Sequence, residues 1–97
     1  MDLQEKVVVI TGAGKGLGKA IGEAFANAGS HVVWSDMTEN DIQTNAERSK
    51  SSFFKADVRK EEDIEALVEF AIRKNGRIDV WVNNAGIWLS NDENTPL

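Results

Sequence analysis

The sequence predicts an α/β fold in which a parallel sheet of four strands lies between two layers of helices. Strand and helix patterns alternate along the 97 residues, and such alternation is typical of a parallel sheet. The run Val7–Ile10 is apolar throughout, which indicates a strand buried on both faces. A turn rich in glycine joins this run directly to a helical pattern that opens at Leu17. We therefore expect residues 1–97 to form part of one α/β domain.

The first two strands and helices are predicted from the spacing of apolar residues. The first helix has apolar or small residues at helical spacing, and Gly29 is expected to end it. His31 to Asp36 reads as the second strand, and His31, at its entrance, is interpreted as structural. Thr38 to Ser49 carries few apolar residues, so we expect a short, exposed helix that Thr38 could cap.

The second half of the chain repeats the strand and helix alternation. Ser52 to Val58 is predicted as the third strand, ending near Asp57. The third helix has acids in its first turn, bases in its last and Asn75–Gly76 at its end. Its buried face is expected to carry Ile64, Leu67, Val68 and Ala71. The fourth strand is predicted at Ile78–Asn83.

Right-handed crossovers determine how these elements are arranged. The first two crossovers step outward through strands 1, 2 and 3, which places their helices on one face of the sheet. The third crossover returns past strand 1 and places its helix on the other face. The predicted strand order is therefore 3-2-1-4, and ligands bind such sheets at the carboxyl ends where the order reverses.

Composition excludes several classes of function. The net charge is −5 and the Lys and Arg residues form no stripe, so nucleic acid is not expected as a partner. There is no cysteine, which is compatible with a cytoplasmic location, and no metal site is predicted. The N-terminus lacks the pattern of a secretory signal, and no apolar run is long enough to cross a membrane.

The glycine turn and a second motif together indicate a family. The common dinucleotide pattern G-x-G-x-x-G and the P-loop pattern both fail. The pattern T-G-x-x-x-G-x-G fits instead, at Thr11, Gly12, Gly16 and Gly18, and Asn83-Asn84-Ala85-Gly86 follows the fourth strand. With these motifs the chain resembles the short-chain dehydrogenase/reductase family. The resemblance implies a Rossmann-type, three-layer α/β/α fold and an NAD(P)-dependent oxidoreductase that acts on alcohols or carbonyl compounds.

The glycine turn is the first part of the predicted cofactor site. Its backbone N–H groups and the N-terminus of the following helix would face the pyrophosphate of a dinucleotide. The residues predicted to bind there are Gly12, Gly14, Lys15, Gly16 and Leu17. Lys15 either serves the pyrophosphate or faces solvent.

Two acidic residues at strand ends complete the adenosine side. Asp36 ends strand 2, where a carboxylate can accept hydrogen bonds from ribose hydroxyls and would repel a 2′-phosphate. NAD is therefore favoured over NADP, although Asp36 could simply form a turn. The resemblance implies that Asp57 bonds the adenine amino group and that Val58 lines the adenine pocket. Asp57 could instead cap the turn into the third helix.

The motif after strand 4 is expected to lie along the cofactor. The resemblance places Asn84, Ala85 and Gly86 nearest the ribose, whereas the same residues could form only a polar turn. Catalysis in similar enzymes uses a serine, a tyrosine and a lysine, located after strand 4. This chain has no tyrosine, so we predict no catalytic residue and do not assign Ser90 or Lys74 to such roles.

We therefore interpret residues 1–97 as the N-terminal, cofactor-binding half of a short-chain dehydrogenase/reductase, truncated before its catalytic half. NAD is the expected cofactor, with NADP less favoured. One alternative is a stand-alone nucleotide-binding or sensing module that acts through protein partners, and another is a folded remnant without ligand. We also expect association through strand 4, with a second copy or with the missing C-terminal half.

Overall fold

The computed structural model describes residues 2–85 and contains the predicted alternation of strands and helices. The elements are β1 (Val7–Thr11), α1 (Gly16–Asn27), β2 (His31–Asp36), α2 (Glu39–Ser49), β3 (Ser52–Lys55), α3 (Glu61–Asn75) and β4 (Val80–Asn83). All paired strands are parallel, in the order β3-β2-β1-β4. The predicted fold class and strand order are confirmed. Within the described residues, no helix is both long enough and apolar enough to span a bilayer.

Strand β1 forms the centre of the sheet. It pairs with β2 on one side and β4 on the other, and each of its five residues is at most 2% exposed. The apolar run Val7–Ile10 is therefore buried on both faces, as predicted, because helices cover each face of the strand.

The two faces of the sheet have separate apolar cores. On one face, side chains of α1 and α2 pack with Val8, Ile10, Val32 and Trp34. On the other, Leu67 and Ala71 of α3 pack with the alternate strand residues Val9 and Val33. The predicted placement of the helices, two on one face and one on the other, is confirmed.

Among the described residues, Trp34 is the largest fully buried side chain, and it joins β2 to α2. Its indole Nε1 donates to Ser49 Oγ at 3.0 Å and to Ser51 Oγ at 3.1 Å. Gly22 of α1 lies directly against the six-membered ring of this indole. The absence of a side chain at Gly22 therefore allows α1 to pack closely on the sheet.

Strands β3 and β4 are shorter than the sequence suggested. β3 ends at Lys55, which pairs with Asp36, the last residue of β2. β4 begins at Val80, which pairs with Val8 of β1, so Ile78 lies before the strand. Pairing with a neighbouring strand determines these ends, and the apolar pattern of one segment does not contain that information.

Two predictions about helix faces were wrong. Helix α2 is exposed on one side only, because Ile42 is fully buried, Ala46 is 1% exposed and Asn45 is 5% exposed on the other. Thr38 stands at its N-cap position but makes no capping hydrogen bond through its side chain. Val68 of α3 is 37% exposed, whereas Phe70 packs against the core with its ring centroid 5.0 Å from that of Phe54.

Asp79 joins the start of β1 to the residues before β4. Its Oδ2 accepts from the N–H of Val7 and from Nε of Arg77, both at 2.8 Å. These two bonds hold the pKa of the Asp79 carboxyl below its ordinary value of 3.8. The ionised carboxylate therefore contributes fully to the stability of the fold above about pH 4. This contribution is lost as the pH falls through the lowered pKa.

The variant Asp79→Asn tests this contribution. The variant should be less stable than the unchanged chain above about pH 4, and the difference should shrink as the pH falls further. Urea unfolding of both chains at a series of pH values measures it. A difference that grows toward acid pH would contradict a stabilising role for the ionised carboxylate.

Candidate cofactor site

The glycine turn, residues 12–18, runs from the end of β1 into α1. Gly12 has a φ of +63° and Gly16 a φ of +58°, a region that favours glycine. In the first backbone hydrogen bond of α1, the N–H of Lys19 donates to the carbonyl of Lys15. The N–H groups of residues 16–18 therefore precede the helical bonding pattern, and such groups can bind an anion.

The glycine turn is held by a buried amide from α2. Asn45 Nδ2 donates to the carbonyl of Ala13 at 2.9 Å and to that of Gly14 at 3.3 Å. The N–H of Ala13 donates to the carbonyl of Ser35 at 2.9 Å. Helix α2 and strand β2 thus fix the turn from outside the glycine motif.

The end of β4 packs tightly against the same turn. Asn84 Nδ2 donates to the carbonyl of Gly12 at 2.9 Å, and the N–H of Ala85 donates to Thr11 Oγ1 at 3.2 Å. A Cβ on Gly12 would lie 2.9 Å from the backbone of Ala85. Gly18 is enclosed by the carbonyl of Gly12 and the amide of Asn84. Glycine is therefore required at both positions by the close approach of backbone.

Asp36 faces the glycine turn from the end of β2. Its Oδ2 accepts from the N–H of Gly14 at 2.9 Å, and its Oδ1 accepts from the N–H of Met37 at 2.7 Å. A carboxylate has about four acceptor sites. Each oxygen thus keeps capacity for a further donor, such as a hydroxyl group.

Asp57 follows β3 and is paired with Arg59. The guanidinium of Arg59 donates to Oδ1 through Nε at 2.9 Å and to Oδ2 through Nη2 at 2.8 Å. These hydrogen bonds, together with the backbone N–H of Arg59, lower the pKa of Asp57 from 3.8 to about 2. The alternative that Asp57 caps the turn into α3 is observed, since its Oδ1 accepts from the backbone N–H of Arg59 at 3.0 Å, although the N-cap residue of the helix itself is Lys60.

A cleft of about 290 Å³ brings several predicted site residues together. It lies where the glycine turn and the carboxyl ends of β2, β3 and β4 meet. Its lining consists of Gly12, Asp36, Met37, Ala56, Asp57, Val58, Arg59 and Ala85. A larger cavity of about 530 Å³ lies between α1 and α2, away from the strand ends. The smaller cleft is the candidate site, because parallel sheets bind ligands at the carboxyl ends of their strands.

Five of the predicted residues that the structure describes do not line this cleft: Gly14, Lys15, Gly16, Leu17 and Asn84. Leu17 is 62% exposed on the first turn of α1. The side chain of Lys15 is 85% exposed, with its Nζ 3.7 Å from Asp41 Oδ2, so it faces solvent. Gly86 lies outside the described residues.

Sequence reasoning missed Asn45, Arg59 and Met37. Asn45 could have been found, because with Ile42, Ala46 and Ser49 it follows the helical spacing of a buried face. Arg59 and Met37 gave no such signal, since they lie in loops whose path depends on the whole sheet.

Comparisons with known proteins agree with this geometry. The family described as "short chain dehydrogenase" matches residues 6–96. "Short-chain dehydrogenase reductase ATA1" of Arabidopsis thaliana is 43% identical over 91% of this chain and 32% of its own length. A diacetyl reductase ((S)-acetoin forming) of Staphylococcus epidermidis is 40% identical over 95% of this chain and 36% of its own.

A solved structure supports the fold independently. The structure of a short-chain dehydrogenase/reductase from Burkholderia phymatum in complex with NAD has a TM-score of 0.80 and 27% identity. The match covers 84% of this chain and 31% of that one. The chain spans about a third of the length of the curated relatives it matches. The matched motifs, the strand order and these relatives show that the chain belongs to the short-chain dehydrogenase/reductase family.

Proposed function

We propose that these residues bind the adenosine and pyrophosphate part of NAD within an oxidoreductase that acts on an alcohol or carbonyl compound. The observation that carries the proposal is the cleft, where Gly12, Asp36, Asp57 and Ala85 meet. The NAD complex of the Burkholderia phymatum relative supports the choice of cofactor. An oxidoreductase of this family uses the nicotinamide as hydride carrier, and the protein supplies binding and orientation.

Each wall of the cleft has a separate role in the proposal. The N–H groups at the start of α1 face the pyrophosphate, and Gly16 leaves room for it, because no atom of residues 2–85 lies within 4 Å of a Cβ built there. The Asp36 carboxylate accepts from the ribose hydroxyls. Asp57 and Val58 hold the adenine, and Asn84 and Ala85 run along the cofactor from β4.

We further propose that residues 1–97 bind the cofactor without catalysing hydride transfer by themselves. They contain no tyrosine, and a phenol with a pKa shifted down from about 10 is the general acid/base expected in this family. The chain spans about a third of its relatives, and the catalytic groups would come from the part of the enzyme these residues do not include.

The variant Asp36→Ala tests the cofactor choice. The unchanged chain should bind NAD more tightly than NADP, because the carboxylate accepts from the ribose and repels a 2′-phosphate. The variant should reduce that preference by about fivefold or more, since a charge-assisted hydrogen bond contributes about 1–3 kcal/mol. Calorimetric titration of both cofactors measures it.

The matched control is Glu69→Ala, which removes one negative charge from the exposed surface of α3 and should leave the preference unchanged. Equal or tighter binding of NADP by the unchanged chain would contradict the role of Asp36. Failure of both dinucleotides to bind would contradict the proposed function as a whole.

We also propose that the chain associates with itself through β4. Among the described residues β4 pairs on one side only, with β1, and Trp81 is 36% exposed. An open strand edge with unpaired N–H and C=O groups is a template for pairing with another strand. Burying an aromatic side chain adds apolar stabilisation to such pairing.

Sedimentation tests this association. The unchanged chain should form dimers or larger species at about 100 μM, a concentration at which micromolar contacts are populated. Trp81→Lys should raise the monomer fraction, because it places a charge beside the open edge. Val68→Lys, at an exposed position on α3, is the control and should not. A monomeric unchanged chain would exclude the proposal.

A further inference from the structure

Arg59 lies at the mouth of the cleft and makes three of the hydrogen bonds to Asp57. Oδ1 accepts from the backbone N–H of Arg59 at 3.0 Å and from Nε at 2.9 Å. Among the described residues, Oδ2 accepts only from Nη2, at 2.8 Å. The Asp57 side chain is 14% exposed and that of Arg59 is 74% exposed. The guanidinium therefore covers the carboxylate from the solvent side.

The backbone around Asp57 is fixed by other groups. The N–H of Asp57 donates to Asp63 Oδ2 at 2.8 Å, and its carbonyl accepts from the N–H of Lys60 at 3.0 Å. The freedom that remains is rotation of the Asp57 side chain. The two-pronged contact with the guanidinium removes that freedom, since the planar fork matches the carboxylate in a single orientation.

The orientation that Arg59 imposes determines which acceptor sites of the Asp57 carboxylate remain free. A carboxylate offers about four sites, two on each oxygen. Arg59 occupies both sites on Oδ1 and one on Oδ2, so one site remains, on Oδ2. We infer that Arg59 is a positioning residue that turns this single acceptor toward the exocyclic amino group of a purine in the cleft and so makes the site selective for adenine.

This inference rests on the proposed function, and the charge of Asp57 agrees with it. The lowered pKa of Asp57, about 2, keeps the carboxyl ionised at neutral pH. An ionised carboxylate accepts hydrogen bonds and does not donate them. It therefore attracts an amino group and repels a carbonyl oxygen at the same place on the purine ring.

The experiment compares ADP with inosine diphosphate, which has a carbonyl oxygen where ADP has the amino group. The unchanged chain should bind ADP at least about tenfold more tightly, because a group that only accepts rejects a carbonyl. Arg59→Ala should reduce that ratio to about threefold or less, because the carboxylate then keeps only its bond to the backbone N–H of residue 59 and is no longer held in one orientation by the guanidinium. Titration calorimetry of both nucleotides gives the ratio.

Two further variants separate positioning from charge. Arg59→Lys keeps the positive charge but lacks the planar pair of donors. It should lower the ratio of ADP to inosine diphosphate affinity as Arg59→Ala does. Asp57→Asn should bring the ratio near one, since an amide can donate to the carbonyl of inosine diphosphate. The control Arg73→Ala removes an exposed charge from the last turn of α3 and should leave the ratio unchanged.

The outcomes distinguish this inference from the proposed function. An unchanged ratio in Arg59→Lys would show that charge alone matters and would overturn the positioning role. Equal binding of ADP and inosine diphosphate by the unchanged chain would also overturn it, while leaving nucleotide binding intact. Binding of neither nucleotide would contradict both. The carboxyl carbon resonance of Asp57 gives a second readout, because its titration midpoint should rise in Arg59→Ala.

Discussion

Gly22→Ala is expected to destabilise the chain by about 3 kcal/mol, through overpacking of the core. A Cβ built on Gly22 would overlap three atoms of the Trp34 indole. That ring cannot withdraw easily, because it is 1% exposed and its Nε1 is bonded to Ser49 and Ser51. Helix propensity alone predicts the opposite sign, since alanine is favoured over glycine by about 1 kcal/mol within a helix.

Urea unfolding of four chains measures this effect. These are the unchanged chain, Gly22→Ala, Trp34→Phe and the double variant. Trp34→Phe removes the outer ring that the new methyl group would strike, so the double variant should be more stable than the sum of the single changes predicts, by about 1 kcal/mol or more. Equal or increased stability of Gly22→Ala would contradict the close packing of α1 on the indole.

Gly18→Ala is expected to weaken ADP binding by about 30-fold or more, which corresponds to about 2 kcal/mol. The new Cβ would overlap the carbonyl oxygen of Gly12 and the amide of Asn84. Since the carbonyl belongs to the backbone, the start of α1 must move away from the turn. The N–H groups that would face the pyrophosphate move with it.

Gly76→Ala is the matched control for this prediction. Gly76 follows α3 with a φ of +85°, and a Cβ there would meet no atom of the described part of the chain within 4 Å. The change should cost about 1 kcal/mol of stability through backbone strain and leave ADP affinity unaltered. Titration must be done where circular dichroism shows each variant folded, and a folded Gly18→Ala that retains full affinity would contradict the prediction.

The order of the strands and the face of the sheet that each helix covers could be predicted from the sequence. The apolar run of β1 and the handedness of the crossovers are local or general properties, and together they leave few arrangements. The same reasoning located Asp36 and Asp57 at strand ends. It could not establish that Asp36 bonds the N–H of Gly14, because 22 positions of chain separate them and only the closed sheet brings them together.

The errors have a common physical cause. Helix α2 has few apolar residues, yet Ile42, Asn45 and Ala46 are buried because the helix covers Trp34 and the glycine turn. Its position is determined by the tertiary structure, and local composition is a weak guide there. The pairing of Asp57 with Arg59 likewise depends on the path of a loop, for which the spacing of residues gives no pattern.

The position of β1 at the centre of the sheet has a consequence for the order of folding. β1 meets β2 after one helix, but it meets β4 only across 72 positions of chain, as the bond between Asp79 and Val7 illustrates. Closing the longer loop costs more chain entropy, so β4 is expected to join last and to separate first. A nucleotide that touches both Gly12 and Ala85 would hold β4 against β1. Its binding would then slow amide hydrogen exchange along Val80–Asn83.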